Sequence, residues 1–200
     1  MADDHQLVQL GEIADVYIGM LINSAQMEDA ETGVPVITPM AIRNLTINTD
    51  EFQAAEVWDQ KLDSYMVQSG DVLLPARSTS IKFGIVPDWD FATAIISSTL
   101  IGIRPDRNTI HPRVLVGWLS SPAGMSALES VSQSGTHQMS ITSKGLKQLV
   151  IPIIPMDEQH KLIDLMEAAD QAHWNAVRAA DERREIATQA VVNKLTGKTK

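Results

Sequence analysis

Short apolar runs separated by polar or turn residues fill the first 150 positions of the chain. Most of these runs are rich in β-branched residues, which is typical of β-strands. The pattern predicts strands at residues 34–38, 71–74, 82–86, 92–96 and 99–103. A further apolar run at 150–155 contains two prolines, which cannot donate the hydrogen bond of a central strand, so we expect a last edge strand or an extended connector there.

Two other segments, 112–119 and 122–131, place their apolar residues at helical spacing. From Met156 onward the composition changes to good helix formers, and the 38 residues from Asp157 to Lys194 include neither glycine nor proline. A helix of that length extends about 57 Å at 1.5 Å per residue. Because this is far longer than an ordinary globular helix, we expect part of it to pack outside its own domain.

These elements predict an α/β (α+β) chain in two parts: a domain of short strands and small helices at 1–155, and one long C-terminal helix for coiled-coil-like pairing at 156–200. Apolar residues of the helix follow a heptad seam that Asp170, His173 and Arg184 interrupt. The candidate positions for a dimer or a partner helix are Ile163, Met166, Trp174, Val177, Ala180, Ala187 and Val191. The alternative is a single helix that lies along its own domain.

Composition and missing motifs exclude several classes of protein. The 200 residues contain no cysteine, which excludes a disulfide scaffold, a thiolate metal site and a cysteine nucleophile. The nucleotide-binding motifs GxxxxGKS/T and GxGxxG and the catalytic motifs GxSxG and HExxH are absent, so we expect neither catalytic residues nor a cofactor in this chain. The sequence shows no secretory signal and no apolar run of membrane length, which predicts a cytoplasmic protein without a membrane partner.

We also expect no metal site. His160 and Asp164 lie one turn apart on the predicted helix, where such a pair is usually an ordinary surface pair. Asp88 and Asp90 would share one face of a strand, but two carboxylates in this setting are more typical of a polar turn than of a cation site. A metalloenzyme that uses this pair is therefore the weaker interpretation.

The charge of the chain is unevenly distributed. The formal net charge is −9, from 16 basic and 25 acidic residues. Residues 1–60 contain 11 acids and one basic residue, whereas residues 61–150 contain 8 basic residues and 6 acids. The acidic total argues against a general nucleic-acid binder. The middle of the chain nevertheless has a local excess of positive charge, and local patches decide where an anion docks.

Four blocks of sequence carry a likeness that covers nearly the whole chain. They are Leu10–Val16 (LGEIADV), Ser69–Leu74 (SGDVLL) with the polar loop 77–80 behind it, Ser134–Ile141 (SGTHQMSI) followed by Gly145–Leu149 (GLKQL), and Val150–Gln159 (VIPIIPMDEQ). In this order they resemble the DNA specificity (S) subunits of type I restriction–modification systems, in particular one target-recognition domain with its adjoining long helix. The last two blocks, adjacent and in that order, are the specific part.

The resemblance implies a non-catalytic subunit that reads a short, split sequence in double-stranded DNA. It implies an adenine-N6 methyltransferase subunit on the long helices, with S-adenosylmethionine as the cofactor of that partner, and it leaves open whether a motor–nuclease subunit joins. A typical S subunit has two recognition domains, so a chain of 200 residues resembles a half subunit that works as a homodimer on a palindromic, bipartite site. Pairing with a different half remains open. The alternative function is a protein-interaction adaptor of the same fold without DNA affinity, which the acidic N-terminal third favours.

Three polar segments are the candidate DNA contacts. They are the loop with Arg77, Ser78, Thr79, Ser80 and Lys82, the loop with Gly135, Thr136, His137, Gln138 and Ser140 and its neighbour Lys144, and the pair Arg43 and Asn44. Arginine suits guanine or phosphate, Asn and Gln suit adenine, lysine suits phosphate, and Ser or Thr is permissive. The alternatives are a solvated hairpin loop for the first segment, a turn bonded to its own backbone for the second, and a capping Asn for the third.

Overall fold

The structure, a computed structural model, describes residues 6–23, 27–28, 33–57, 62–89, 94–136 and 138–197. The chain divides into two compact units, Met1–Gln159, called here the N-terminal unit, and His160–Lys200. The N-terminal unit is a mixed α/β body, and the second unit is the continuation of one long helix. The predicted α/β (α+β) class with a long C-terminal helix is confirmed.

The described strands are short, and most of the helices are short as well. The strands are β1 (Gln6–Gln9), β2 (Ala14–Ile18), β3 (Met27–Glu28), β4 (Val34–Ile37), β5 (Ile42–Arg43), β6 (Thr46–Ile47), β7 (Gln53–Ala55), β8 (Val72–Pro75), β9 (Arg77–Ser78), β10 (Gly84–Ile85), β11 (Ile95–Ile96), β12 (Leu100–Pro105), β13 (Gln133–Thr136), β14 (Gln138–Ser140) and β15 (Val150–Ile153). The α-helices are α1 (Leu10–Ile13), α2 (Pro112–Leu119), α3 (Pro122–Val131), α4 (Ser143–Gln148) and α5 (Met156–Thr196). Short 3₁₀ helices lie at Pro39–Ala41, Thr49–Glu51 and Leu62–Tyr65.

The main sheet of the N-terminal unit has the order β10-β8-β12-β2, with antiparallel pairing throughout. Its two faces are buried in different cores. Ile101 and Ile103 of β12 belong to the larger core, which includes Leu115 of α2 and Leu146 of α4. Leu100 belongs to the other core, together with Ile37 of β4. Burial on both faces explains why β8 and β12 read as continuous apolar runs rather than as alternating ones.

A second sheet has the order β11-β4-β7-β3, and three smaller groups complete the unit. Strand β11 is parallel to β4, whereas β7 is antiparallel to both β4 and β3. The smaller groups are the hairpin β5–β6, the three-stranded sheet β13-β14-β9, and the antiparallel pair of β1 with β15. Pro152, the one proline of β15, therefore lies in a two-stranded sheet, and the edge strand predicted at 150–155 is present at Val150–Ile153.

A buried ion pair joins three strands of the main sheet. Asp71, which is fully buried directly before β8, accepts two hydrogen bonds from Arg104, from Nε at 2.9 Å and from Nη2 at 2.7 Å. The Tyr17 hydroxyl donates to the same carboxylate at 2.6 Å, and the backbone amide of Gln68 donates at 2.8 Å. Burial, together with the neighbouring Asp71 charge, raises the pKa of Tyr17 far above its usual range, and the Asp71 hydrogen bond raises the pKa of Arg104. Tyr17 therefore remains a proton donor to this carboxylate.

Gln159 links the first turn of α5 to the loop before α2. Its side chain is 1% exposed; Oε1 accepts from the His111 amide at 2.8 Å, and Nε2 donates to the Thr109 and Ile154 carbonyls, both at 2.9 Å. The same loop is held by Asp106, whose carboxylate accepts from the amide of residue 108 and from the Thr109 hydroxyl, and these bonds lower the pKa of Asp106. A buried amide with each hydrogen bond satisfied explains the role of the glutamine in the fourth sequence block.

Helices α2 and α3 begin and end at the residues that the pattern predicts. The predicted long helix is present as the 41-residue α5. Two predicted strands are too long. The segment 82–86 forms a strand at 84–85 alone, and 92–96 does so at 95–96, with residues 92 and 93 outside the described part. None of the described helices has the length and apolar character needed to cross a membrane.

Candidate nucleic-acid interface

Two of the polar segments predicted as DNA contacts are neighbours in one sheet. Strand β9 pairs antiparallel with β14, so that Arg77 lies opposite Ser140 and Ser78 opposite Met139. Strand β13 adds a third strand on the other side of β14. The prediction of both segments as loops is wrong in this respect. These strands are two to four residues long and polar, and their pairing is between distant segments, so the sequence shows no alternation that would reveal them.

The strand pairing decides which side chains share a face. Directly opposite residues share a face and successive residues alternate, so Arg77, Gln138 and Ser140 lie on one face of the sheet. Ser78 and Met139 lie on the other face, and Met139 packs against the larger core. The outer face thus presents a guanidinium, an amide and a hydroxyl side by side, from two segments of sequence.

A groove of about 550 Å³ opens beside this face. Its apolar lining comes from several elements of the N-terminal unit: Ile18, Pro39, Ala76, Ile101 and Ile141. Its polar lining consists of Arg77, Ser98, Thr99, Ser140 and Thr142. Arg77 is the one charged residue among these lining residues, so the groove has a positive charge and no carboxylate.

The hydrogen bonding of Arg77 differs from that of two other arginines in the unit. Its side chain is exposed, and within the described part of the chain it has no hydrogen-bond or ion-pair partner. Arg104 is held by Asp71, and Arg43 makes a 3.2 Å ion pair with Glu51. Arg77 therefore keeps its donors available for a ligand, and five donors in a planar fork suit the acceptor pair of a guanine edge or a phosphate.

The turn after β9 uses its own hydroxyl for local bonding. The Ser78 hydroxyl donates to the carbonyl of Ser80 at 2.6 Å and accepts from the amide of Ser80 at 3.1 Å. Thr79, Ser80 and Lys82 are exposed. For Ser78 the geometry matches a turn that bonds its own backbone.

The structure describes the second predicted segment only in part. Gly135 and Thr136 belong to strand β13, with a register irregularity between Ser134 and Thr136, and His137 lies outside the described residues. Gln138 is exposed. Lys144 is exposed on α4, whose first turn is capped by the Thr142 hydroxyl, which accepts from the amide of residue 145 at 3.0 Å.

The third predicted segment lies on a separate hairpin. Asn44 and Leu45 connect β5 and β6, with Ile42 opposite Ile47, and their φ angles are 43° and 70°. Two consecutive left-handed residues make the two-residue turn that hairpins favour, and asparagine tolerates this conformation better than most residues. The turn explains the choice of Asn44, and the ion pair to Glu51 occupies Arg43.

Several groove residues were absent from the sequence-based candidates. Ile18 ends β2, Pro39 begins a 3₁₀ helix, and Ser98 and Thr99 form the turn between β11 and β12. A polar triplet at 97–99 between two apolar runs was the one signal in the sequence that could have identified this turn. The other residues come from elements whose proximity depends on the sheet topology.

Helix α5 exposes apolar side chains along much of its length. Of the predicted pairing positions, Trp174, Val177 and Val191 are exposed by 57%, 38% and 57%, whereas Ile163 is buried and Met166 is half-buried. Ala180 and Ala187 are exposed. A neighbouring stripe at heptad spacing is more continuous and is interrupted by Arg183; it consists of Leu162, Leu165, Ala169, Ala172, Ala176, Ala179, Ile186 and Ala190. No group of three or more potential metal ligands occurs among the described residues of either unit.

Comparison with known proteins gives consistent matches. Residues 2–177 match the family model described as the type I restriction modification DNA specificity domain. The specificity subunit of the type I restriction enzyme EcoKI from Escherichia coli (strain K12) is 20% identical over 148 residues, which cover 72% of this chain and 32% of that protein. The solved HsdS subunit from Thermoanaerobacter tengcongensis has a TM-score of 0.61 at 20% identity, and the match covers 86% of this chain and 38% of that one.

A second solved chain comes from a study of complex assembly and conformational transition of the type I R-M system. It has a TM-score of 0.63 at 21% identity, with 98% of this chain and 44% of that chain covered. Identities of this size support a shared fold. The present chain spans about a third of the length of the curated relative and less than half of each solved chain.

Proposed function

Because this chain belongs to the family of type I restriction modification DNA specificity domains, we propose that it reads DNA sequence for a type I methyltransferase complex and catalyses no step itself. One observation carries the proposal: the pairing of β9 with β14 assembles Arg77, Gln138 and Ser140 on one face beside an open groove. Arginine donates in pairs to guanine O6 and N7, and glutamine pairs with adenine N6 and N7. This face therefore carries the direct readout.

The remaining candidate residues position the duplex. Lys82 and Lys144 are exposed lysines of the N-terminal unit, and lysine contacts with phosphate fix orientation without reading sequence. Thr79, Ser80, Gly135, Thr136 and His137 flank the readout face in the sequence and supply further polar contacts. Arg43 and Asn44 contribute from the β5–β6 hairpin if the duplex extends that far.

Helix α5 supplies the assembly surface in this proposal. Its exposed apolar side chains pair with the α5 of a second copy and hold an adenine-N6 methyltransferase subunit, to which S-adenosylmethionine belongs as cofactor. Two identical readers related by a two-fold axis would read a bipartite, palindromic site. Trp174, which is 57% exposed, is the residue we assign to partner contact, because large aromatic side chains anchor interfaces.

The acidic character of the chain is compatible with this role. A homodimer carries twice the formal charge of −9, so its long-range field repels DNA. We therefore expect weak, salt-sensitive DNA binding by this chain alone and firm binding when the methyltransferase adds its own basic surface.

The test is methylation mapping with the assembled complex. The chain is produced together with an adenine methyltransferase of the same system, the complex is purified through a tag on this chain, and methylated positions are mapped genome-wide. We expect specific methylation that depends on this chain. Co-purification without any dependence of methylation on the chain would favour the adaptor function, and the reader function would be wrong.

Single substitutions locate the readout. Arg77→Ala should reduce methylation of the preferred site and relax the base preference at one position, because an arginine–guanine pair contributes about 1–3 kcal/mol of discrimination. Arg107→Ala is the matched control, since Arg107 is an exposed arginine of the same unit outside the groove lining. Equal effects of the two substitutions would contradict the assignment of Arg77.

Paired charge substitutions test α5. Sedimentation of the full chain should show a dimer, which Leu165→Glu with Ile186→Glu disrupts if the continuous stripe forms the contact. Val177→Glu with Val191→Glu disrupts it instead if the predicted seam does. All four side chains are at least 38% exposed, so neither double substitution removes core packing. A monomeric wild-type chain would refute homodimer formation.

A further inference from the structure

The groove beside β9 and β14 contains an apolar surface that the readout by Arg77 and Gln138 does not use. Ile18, the last residue of β2, is 49% exposed, whereas Val16 in the same strand is 6% exposed. Ile18 and Pro39 line the groove together with the floor residue Ile101. A half-exposed isoleucine next to an apolar floor gains free energy when a ligand covers it with an apolar group.

The polar part of the lining restricts which ligand groups fit. The described residues that line the groove include no carboxylate, which is the side-chain group best suited to accept from the amino group of cytosine. Ser98 also lines the groove, and its hydroxyl has no hydrogen-bond partner within the described part of the chain. The Thr99 hydroxyl is already engaged with the Ser97 hydroxyl at 2.6 Å, and the Thr142 hydroxyl caps α4. Ser98 and Ser140 are thus the two lining hydroxyls without a partner in the described part of the chain, and Ser98 is the one that lies outside the Arg77, Gln138 and Ser140 face.

One base combines an apolar group with an adjacent acceptor at the major-groove edge. Thymine displays its C5-methyl group next to the O4 acceptor, and no other standard base displays a methyl group there. The methyl group matches the surface of Ile18 and Pro39, and O4 matches the Ser98 hydroxyl. Arg77 borders the same groove and suits guanine.

We infer that this groove reads a thymine through its C5-methyl group, packed on Ile18 and Pro39, next to a guanine contacted by Arg77. Ile18 is then a specificity-determining residue. The inference rests on the proposed reader function and adds to it the identity of a base and the residue that selects it.

The test removes a single methyl group from the DNA. Once the target is mapped, duplexes are made in which each thymine of the half-site in turn is replaced by deoxyuridine, which lacks only the C5-methyl group. Binding of the complex with the methyltransferase is measured at fixed salt. We expect a loss of about four-fold at one position, the equivalent of one buried methyl group, and little change at the other positions.

Variants of the chain connect this effect to Ile18. In Ile18→Ala the difference between thymine and deoxyuridine at that position should disappear, whereas Ile18→Val should retain most of it. Leu7→Ala is the control, because Leu7 is 68% exposed on β1 and does not line the groove. Urea unfolding of each variant verifies that the fold is retained.

The outcomes separate the two proposals. Specific binding with no deoxyuridine-sensitive position, or with a sensitivity that Ile18→Ala leaves unchanged, refutes the thymine inference and leaves the reader function intact. Reduced binding of Ile18→Ala to every duplex alike would also refute it, since Ile18 would then contact DNA without selecting a base. Absence of any sequence-specific binding by the complex would refute both.

Discussion

Replacement of Asp71 by alanine tests whether the buried ion pair stabilises the main sheet. The Asp71 carboxylate is fully buried and accepts two hydrogen bonds from Arg104, one from the Tyr17 hydroxyl and one from the Gln68 amide. Alanine removes all four acceptor contacts, so the Tyr17 hydroxyl loses its acceptor and the Arg104 guanidinium retains its 2.9 Å hydrogen bond to the Met66 carbonyl. The three side chains come from β2, from the residue directly before β8 and from β12, so the loss affects three neighbouring strands of the sheet.

The expected cost is about 3 kcal/mol in the free energy of unfolding. Removal of one partner from a buried pair typically costs about 3–5 kcal/mol. The Arg104 side chain is 30% exposed, so water recovers part of its solvation, and we expect the lower end of this range. Tyr17→Phe removes a single hydrogen bond to the same carboxylate and should cost about 1 kcal/mol.

Urea unfolding at neutral pH, followed by tryptophan fluorescence and circular dichroism, measures these values. Asp63→Ala, an exposed carboxylate on a 3₁₀ helix, is the control and should change stability by less than about 0.5 kcal/mol. The double variant Asp71→Leu with Arg104→Met should be more stable than the sum of the two single costs, because neither charge is left alone. A cost below about 1 kcal/mol for Asp71→Ala, or full additivity in the double variant, would refute the reasoning.

Three further predictions concern stability. Hydrogen bonds lower the pKa of Asp106, so the ionised carboxylate contributes its full stabilisation of the fold above the unfolded pKa of 3.8 and loses it as pH falls through the lower folded pKa. The difference in urea midpoint between wild type and Asp106→Ala should therefore be present at neutral pH and vanish in strong acid. Gln159→Leu should cost about 2–3 kcal/mol in urea unfolding because it removes the three hydrogen bonds from a buried side chain to the His111 amide and to the Thr109 and Ile154 carbonyls, whereas substitution of the exposed Gln148 by leucine should cost little. Gly102→Ala should lower the thermal midpoint by the equivalent of about 1–3 kcal/mol, because its Cβ would clash with Cζ of the Tyr17 ring, and an unchanged midpoint would contradict that close contact.

Elements whose signals are local were predictable from the sequence. Helix α3 starts at Pro122 after Ser121, whose hydroxyl accepts from the amide of residue 124 at 3.1 Å, and this cap and proline stand next to each other in the sequence. Helix α5 follows from a long segment without glycine or proline. In both cases the residues that determine the element lie within it or beside it.

The elements that build the groove depend on pairings between distant segments, which leave little sign in the sequence. Strand β9 has two residues and β14 has three, so neither shows the alternation that identifies a strand. Helix α4 was not predicted because it has six residues and contains Gly145. A short strand or helix of this kind is stabilised by its tertiary partners, and propensity contributes little.

The residues of the candidate site divide in the same way between local and distant determinants. Residue type alone selected Arg77 and Gln138, because arginine and glutamine suit base edges. The register of β9 against β14 determines which side chains share a face. It places Arg77 on the outer face, whereas Ser78 bonds to the backbone of its own turn. Ile18 and Ser98 could be found only after the topology placed them at the groove, since both have ordinary neighbours in the sequence.

The pairing of β1 with β15 brings the entry and exit of the N-terminal unit side by side. Gln6 lies opposite Ile153 and Gln9 opposite Val150. A folded unit whose two ends are neighbours can be inserted into a host chain or exchanged for a homologous unit with little distortion at the junctions. Residues 6–153 thus have the geometry of a unit that can be exchanged as a whole, together with its groove, while the sequence of the helix that follows is kept.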